Sequence, residues 1–168
     1  MPSKKHYIIT AITLGCIAAG SAALIGVTNL VTRDRIAKNE QNKITNGLVS
    51  IFGKGTSIIE EADLDKFNYV NHYYKVDEGK MAFKTTGSNM YGEVSLIIGF
   101  NYTDFIKMVV VTNEQTYATT LDDEYIDHIN DGSRDVDDVS CGATFGAKLV
   151  RDMVNEASEV AKEMNGKE

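Results

Sequence analysis

A chain of 168 residues with 17 basic and 24 acidic side chains, at a formal charge of −7, has room for one domain of ordinary size and an accessory element, not for two globular domains. The acidic balance argues against nucleic acid as a partner and against docking on anionic lipid. Cys16 lies inside an apolar run and Cys141 far from it, so no disulfide framework is implied; His6, His72 and His128 are too scattered for a zinc site.

In chain order, three segments are expected: a basic lead and transmembrane helix over 1–31, a helical stalk over 32–55, and one soluble domain over 56–168. Tyr7 to Val31 is an uncharged run of about 25 residues, long enough as a helix to cross the hydrocarbon core of a bilayer. A cleaved signal peptide fits less well, because the run is too long. A lipoprotein signal at Cys16 also fits less well, since Thr13 stands where a leucine is usual. Lys4, Lys5 and His6 precede the run and Arg33, Arg35 and Lys38 follow it. A short basic lead before a first helix normally stays inside, so the reading is a single-pass cell-membrane protein with its soluble domain on the extracytoplasmic side.

From Thr32 to Phe52 the apolar positions Ile36, Ile44, Leu48, Val49, Ile51 and Phe52 recur at helical spacing, and Gly53 to Thr56 breaks the pattern. Phe67 to Phe83 reads as a hairpin turning at Asp77-Glu78-Gly79-Lys80. Gly87-Ser88-Asn89 is expected to punctuate the next stretch. Glu93–Phe100 and Phe105–Thr112 give two further strands joined by a tight turn at Asn101–Asp104. A short helix is expected over Leu121–Asn130, and a last helix shows an apolar face through Phe145, Leu149, Val150, Met153, Val154, Ala157 and Val160. Four or so antiparallel strands followed by helices make an α+β domain.

The loop Asp138-Val139-Ser140-Cys141-Gly142-Ala143-Thr144 runs directly into that last helix. Its small residues deliver the Thr144 hydroxyl to a helix start, where free backbone N–H groups and a partial positive charge would stabilise an attached phosphate. On local pattern alone an ordinary helix cap is the favoured reading of Thr144, and the rest of the chain has to decide. Cys141 reads as a small residue packed beneath the loop rather than as a redox group. The acids Asp135, Asp137 and Asp138 lack the spacing of a calcium loop. No catalytic residue and no metal ligand is assigned.

The anchor, the segment Gly87 to Phe100, the strand into Gln115-Thr116 and the run Asp138 to Thr144 together resemble the FMN-binding domain family of RnfG and NqrC, the membrane-anchored flavin subunits of ion-translocating electron transport complexes. In that family an Asp-x-x-(Ser/Thr)-Gly-Ala-Thr motif carries FMN as a phosphoester on its last residue, which here is Thr144. Asp138, Gly142 and Ala143 match the motif as well. Cys141 replaces a usual Ser or Thr, and Gln115-Thr116-Tyr117-Ala118 keeps only Thr116 of the family's Glu-Thr-Pro-Gly stretch.

The resemblance implies covalent FMN on Thr144, attached by a flavin transferase from FAD with release of AMP. Ser140, Cys141, Gly142, Ala143 and Asp138 would form the attachment loop. Lys148, one turn into the helix, would offset the phosphate charge. A flavin ring needs a flat apolar slot with polar contacts at its rim, for which Thr116, Tyr117, Thr119 and Thr120 are best placed, Thr116 first among them, with Leu121 and Tyr91 as weaker candidates. The expected function is electron relay among other membrane subunits of an Rnf- or Nqr-type complex. The alternatives are a free-standing surface flavoprotein serving extracellular electron transfer, and a membrane-anchored binding module without flavin.

Overall fold

The structure, a computed structural model, describes residues 4–166. The start of the basic lead, residues 1–3, and the last two residues of the expected domain lie outside the described residues. A long helix, α1 (Lys4–Phe52), leads into strands β1 (Glu60–Asp63), β2 (Val70–Asp77), β3 (Lys80–Asn89), β4 (Gly92–Asn101) and β5 (Asp104–Asn113). Short helices α2 (Ala118–Leu121) and α3 (Asp127–Asn130) flank a π-helical turn at Asp122–Ile126, and α4 (Thr144–Asn165) ends the fold. The chain divides into two compact units, residues 1–42 and 43–168.

In the first unit, Tyr7–Asn29 is a helical span of 23 residues, apolar enough to cross a membrane and with none of it buried. An apolar surface on all sides suits lipid rather than a protein core, so the span fits a single-pass membrane anchor. Thr13 turns its hydroxyl back to the Ile9 carbonyl at 2.9 Å, which satisfies a polar group inside the apolar run.

The second unit holds a five-stranded antiparallel sheet in the order β1-β2-β3-β4-β5 with helices after it, the α+β class expected. The hairpin turn at Asp77–Lys80 forms as anticipated, Gly79 taking φ 71°. Strand β1 was not anticipated. Its residues Glu60–Asp63 are all exposed and carry no alternating pattern. It pairs by extending the β2 ladder, with Ile59 N–H donating to the Lys75 carbonyl and Leu64 N–H to that of Asn71.

Two expectations need correction. Gly87-Ser88-Asn89 does not interrupt the sheet but lies within β3, and the chain reverses at Met90-Tyr91, with Asn89 paired to Gly92. Gly87 is there for close approach: a Cβ on it would lie 2.8 Å from Leu149 Cδ1 on α4. The helix expected over Leu121–Asn130 begins at Ala118 and passes through the π-helical turn, so its side chains do not follow one 3.6-residue stripe.

Both faces of the sheet are covered. One packs against α4, where Val150, Met153, Ala157 and Val160 meet Phe83, Leu96 and Ile98 in the main core. The other packs against the C-terminal end of α1, where Ile44 and Leu48 meet Tyr74, Ala82, Ile97 and Val111. The exposed edge of β5 is occupied by side chains. Asn130 donates to the Met108 carbonyl and accepts from its N–H, both at 2.9 Å, and Lys43 donates to the Val111 carbonyl at 2.9 Å.

Candidate functional site

Three segments separated in sequence converge at the N-terminal end of α4: the β3–β4 hairpin tip, the exit from β5, and the loop before Thr144. Gly92 closes the hairpin at φ 134°, a conformation that side-chain-bearing residues rarely adopt; a Cβ there would sit 2.1 Å from the Glu114 carbonyl oxygen. Asn89 clamps the turn, accepting from Tyr91 N–H at 2.8 Å and donating to the Phe145 carbonyl at 3.2 Å. The β5 exit is held by Gln115, which is only 7% exposed and donates from Nε2 to the Gly92 carbonyl and to Asn89 Oδ1. Thr116 N–H completes the join by donating to the Tyr91 carbonyl at 2.9 Å.

Between these segments lies a cavity of about 260 Å³ lined by Tyr91, Gln115, Tyr117 and the run Gly142 to Gly146. Phe145 and Tyr117 are exposed, at 55% and 57%, and the Tyr91 and Phe145 rings lie 5.4 Å apart. The cavity therefore combines an aromatic wall with a helix start. Its volume is just under the roughly 300 Å³ at which small-molecule pockets begin, so it would receive part of a flavin mononucleotide rather than enclose it. The wall is tight on the backbone side: a Cβ on Gly142 would approach Thr120 Cγ2 to 2.9 Å, and one on Gly146 would approach Leu121 Cδ2 to 2.9 Å. The residues present fit the group.

Thr144 is the first residue of α4, and Ala143 occupies the cap position without a side-chain cap. The Thr144 hydroxyl instead donates to the Cys141 carbonyl at 2.7 Å. The ordinary capping role is thus not the one it plays. Ala147 N–H makes the bond to the Ala143 carbonyl at 2.9 Å, so the amides of Phe145 and Gly146 precede the regular ladder and have no acceptor one turn back.

The other expected residues occupy varied positions. Tyr117, Gly142 and Ala143 line the cavity with Thr144. Thr116 is exposed, its hydroxyl 3.4 Å from the Tyr91 carbonyl. Thr120 packs under Gly142, and Leu121 is buried under Gly146. Cys141 is half-buried against the main core. Asp138 accepts from Ser140 N–H at 3.1 Å and so shapes the loop locally, while the Ser140 carbonyl accepts from Arg134 Nη1 at 3.2 Å. Lys148 is exposed, with Nζ 5.8 Å from the Phe145 ring centroid. Among the described residues, no group of three or more His, Cys, Asp or Glu is placed to hold a metal ion.

Sequence reasoning did not select Gln115, Asn89 or Phe145 as site residues. In the sequence Gln115 stands out only as a departure from the family stretch, and nothing in its neighbours signals burial. The sequence pattern puts Phe145 on the apolar face of the last helix; in the structure it is the second residue of that helix and lies exposed at the cavity.

Residues 1–51 match the family model for the RnfG N-terminal region. The match supports RnfG/NqrC-like family membership. A match to this region supports an Rnf-type complex subunit, a member of a multi-subunit assembly for electron transport. No curated protein matches the chain. The matched residues cover most of α1 and stop short of the cavity, so the roles of the cavity residues rest on the geometry above.

Proposed function

We propose that the chain is a membrane-anchored flavoprotein carrying FMN as a phosphoester on Thr144, and that it relays electrons as a subunit of an Rnf-type complex with its soluble domain on the extracytoplasmic side. The observation that carries this reading is the Thr144 hydroxyl, the first side chain of a 22-residue helix, which lines an aromatic cavity and is not used as a cap. Attachment is a displacement at phosphorus. Thr144 Oγ1 forms a bond to the FMN phosphorus of FAD, the bond from that phosphorus to the AMP oxygen breaks, and AMP departs while the hydroxyl proton is released. The reaction is performed by a flavin transferase, for which the exposed loop residues Asp138, Ser140 and Gly142 are accessible.

Once formed, the diester would keep one negative charge beside the Phe145 and Gly146 amides and the positive end of the α4 dipole, a contact of up to about 1 kcal/mol at a partly exposed site. Lys148 would move from the Phe145 ring toward the phosphate. Tyr91, Tyr117 and Phe145 would flank the ring system and exclude water from one side of it. Bound flavin supplies one- and two-electron redox chemistry. A tethered carrier on the outer side of a membrane is not lost by diffusion, which suits a relay.

The test is to express the full chain with a flavin transferase, denature it, and look for flavin fluorescence in the gel. A fluorescent wild type with a dark Thr144→Ala variant that is still folded is the expected result. A dark wild type, with the transferase active on a control substrate, would overturn the reading in favour of a binding module without flavin. Copurification in mild detergent with polytopic membrane subunits distinguishes a complex subunit from a free-standing surface flavoprotein.

A further inference from the structure

The π-helical turn Asp122–Ile126 meets the segment 134–142 that leads to Thr144 at three points. A π turn rotates successive side chains out of the regular helical stripe, and such turns concentrate at functional sites. Here Tyr125 and Ile126 are buried while Glu124 stays exposed. The buried Tyr125 hydroxyl donates to the Val136 carbonyl, and the Arg134 guanidinium lies 5.9 Å from the Tyr125 ring centroid while also donating to the Ser140 carbonyl. The third contact is from Glu124, whose Oε2 accepts from Gly142 N–H at 3.2 Å.

That last contact falls on a particular peptide unit. The N–H of Gly142 and the carbonyl of Cys141 belong to the same planar amide and point in opposite directions. The carbonyl end accepts the Thr144 hydroxyl at 2.7 Å, so the carboxylate and the hydroxyl grip the two ends of one plane. A peptide preceding glycine turns over easily, because glycine tolerates both signs of φ. Turning it over would put the N–H where the Thr144 hydroxyl now finds its acceptor. An anionic acceptor on the N–H also polarises the amide and strengthens the carbonyl as acceptor at the other end.

We propose that Glu124 is a positioning residue for flavin attachment, holding the Cys141–Gly142 peptide in the orientation that aims the Thr144 hydroxyl. The proposal rests on the reading of Thr144 as the attachment residue. With the hydroxyl proton directed to the Cys141 carbonyl, the Oγ1 lone pairs face away from the loop, toward the phosphorus of the incoming dinucleotide. As the Oγ1–P bond forms and the P–O bond to AMP breaks, the hydroxyl proton is released to water; the Cys141 carbonyl orients the hydroxyl and does not take the proton. Glu124 acts through the peptide and does not touch the reacting atoms.

The experiment measures the initial rate of covalent flavin incorporation into the full-length chain in detergent, with FAD and a flavin transferase, alongside hydrogen exchange at the Gly142 amide without flavin. For Glu124→Ala we expect the saturating rate to fall about tenfold and the Gly142 amide to exchange faster, with an unchanged thermal midpoint because the side chain is exposed. Glu124→Gln keeps a hydrogen-bond acceptor and should restore the rate to within about twofold and restore the protection. A Glu124→Ala chain that is labelled at the wild-type rate would overturn the proposal, as would a Gln variant no better than Ala. A wild-type chain that takes no flavin from an active transferase defeats the Thr144 reading instead, and the exchange result still reports on the peptide.

Discussion

The two faces of the sheet are covered by helices of opposite provenance. The main core lies under α4, the helix that begins at Thr144, and holds the large side chains Phe83, Leu96, Ile98, Met153 and Tyr125. The smaller one lies under the end of α1, the helix whose earlier part fits a membrane anchor, and depends on Ile44 and Leu48 with Ile51 and Phe52 half-buried beside them. The first core therefore sets the position of the cavity, and the second joins the sheet to the helix that precedes it. Truncating each core should separate these roles. Phe83→Ala, at a fully buried position, should cost about 4 kcal/mol and loosen the cavity along with the fold, whereas Leu48→Ala should cost about 3 kcal/mol and leave flavin attachment at Thr144 intact in the folded fraction. Urea denaturation with flavin labelling at low denaturant checks both, and equal loss of labelling in the two variants would break the distinction.

Within the main core, α4 is also tied to the sheet by a single carboxylate. Glu156 accepts from three consecutive amides, Asn68 at 3.2 Å, Tyr69 at 2.6 Å and Val70 at 2.9 Å, at the point where the chain enters β2. Removing it leaves those donors without that partner, Val70 being fully buried. Glu156→Ala should cost about 2–3 kcal/mol, and Glu156→Gln less, because a neutral acceptor remains. On the other face, Lys43 donates to the Val111 carbonyl. An alanine variant that unfolds at the wild-type urea midpoint would show that packing alone holds α4 to the sheet.

The same contrast explains what was legible in the sequence. Periodicity exposed α4, because one face of it is buried, and the uniform apolar run exposed the anchor, because no face of it is. Strands β2 to β5 announced themselves through β-branched and aromatic content and through the Glu78-Gly79 turn. Strand β1 did not, since Glu60–Asp63 bury nothing and owe their conformation to their neighbour. Gly87 misled for a related reason: glycine marks a turn in a local reading, and here its lack of a side chain serves a contact with Leu149, 62 positions away. The loop before Thr144 was legible as a motif, but its supports were not. Gln115 bonds to Gly92 at the neighbouring hairpin across 23 positions and Glu124 accepts from the loop's Gly142 N–H across 18, and no local pattern encodes such pairings.

The face that carries the main core also contains a defect that can be repaired. Thr85 on β3 is fully buried, and its hydroxyl has no hydrogen-bond partner in the structure. An unpaired buried hydroxyl is costly, and valine keeps the branched shape without the polar atom. Thr85→Val should raise stability by about 1 kcal/mol, read as a higher urea midpoint at unchanged slope. A destabilised variant would mean that the hydroxyl is satisfied by bound water.

The smallest expected effect lies at the start of the π-helical turn, where Asp122 accepts from Asn113 Nδ2 at 2.7 Å. Burial raises its pKa above the ordinary 3.8, the bond from Asn113 opposes that rise, and the neighbouring charges of Asp123 and Asp127 add to it. The folded state thus holds this proton to a higher pH than the unfolded chain does. Between the unfolded value and the raised folded value the native state binds more protons, so this group's contribution to stability falls as pH rises through that window and is unfavourable above it. Asp122→Asn retains an acceptor for Asn113 and removes the charge. It should abolish that part of the pH dependence and leave the protein slightly more stable at pH 7, by less than Thr85→Val, because the carboxylate is only partly shielded from solvent. Thermal midpoints of both proteins measured from pH 3.5 to 7 provide the check: parallel curves would show that the bond from Asn113 offsets the burial, and convergence at the acid end would show that burial dominates.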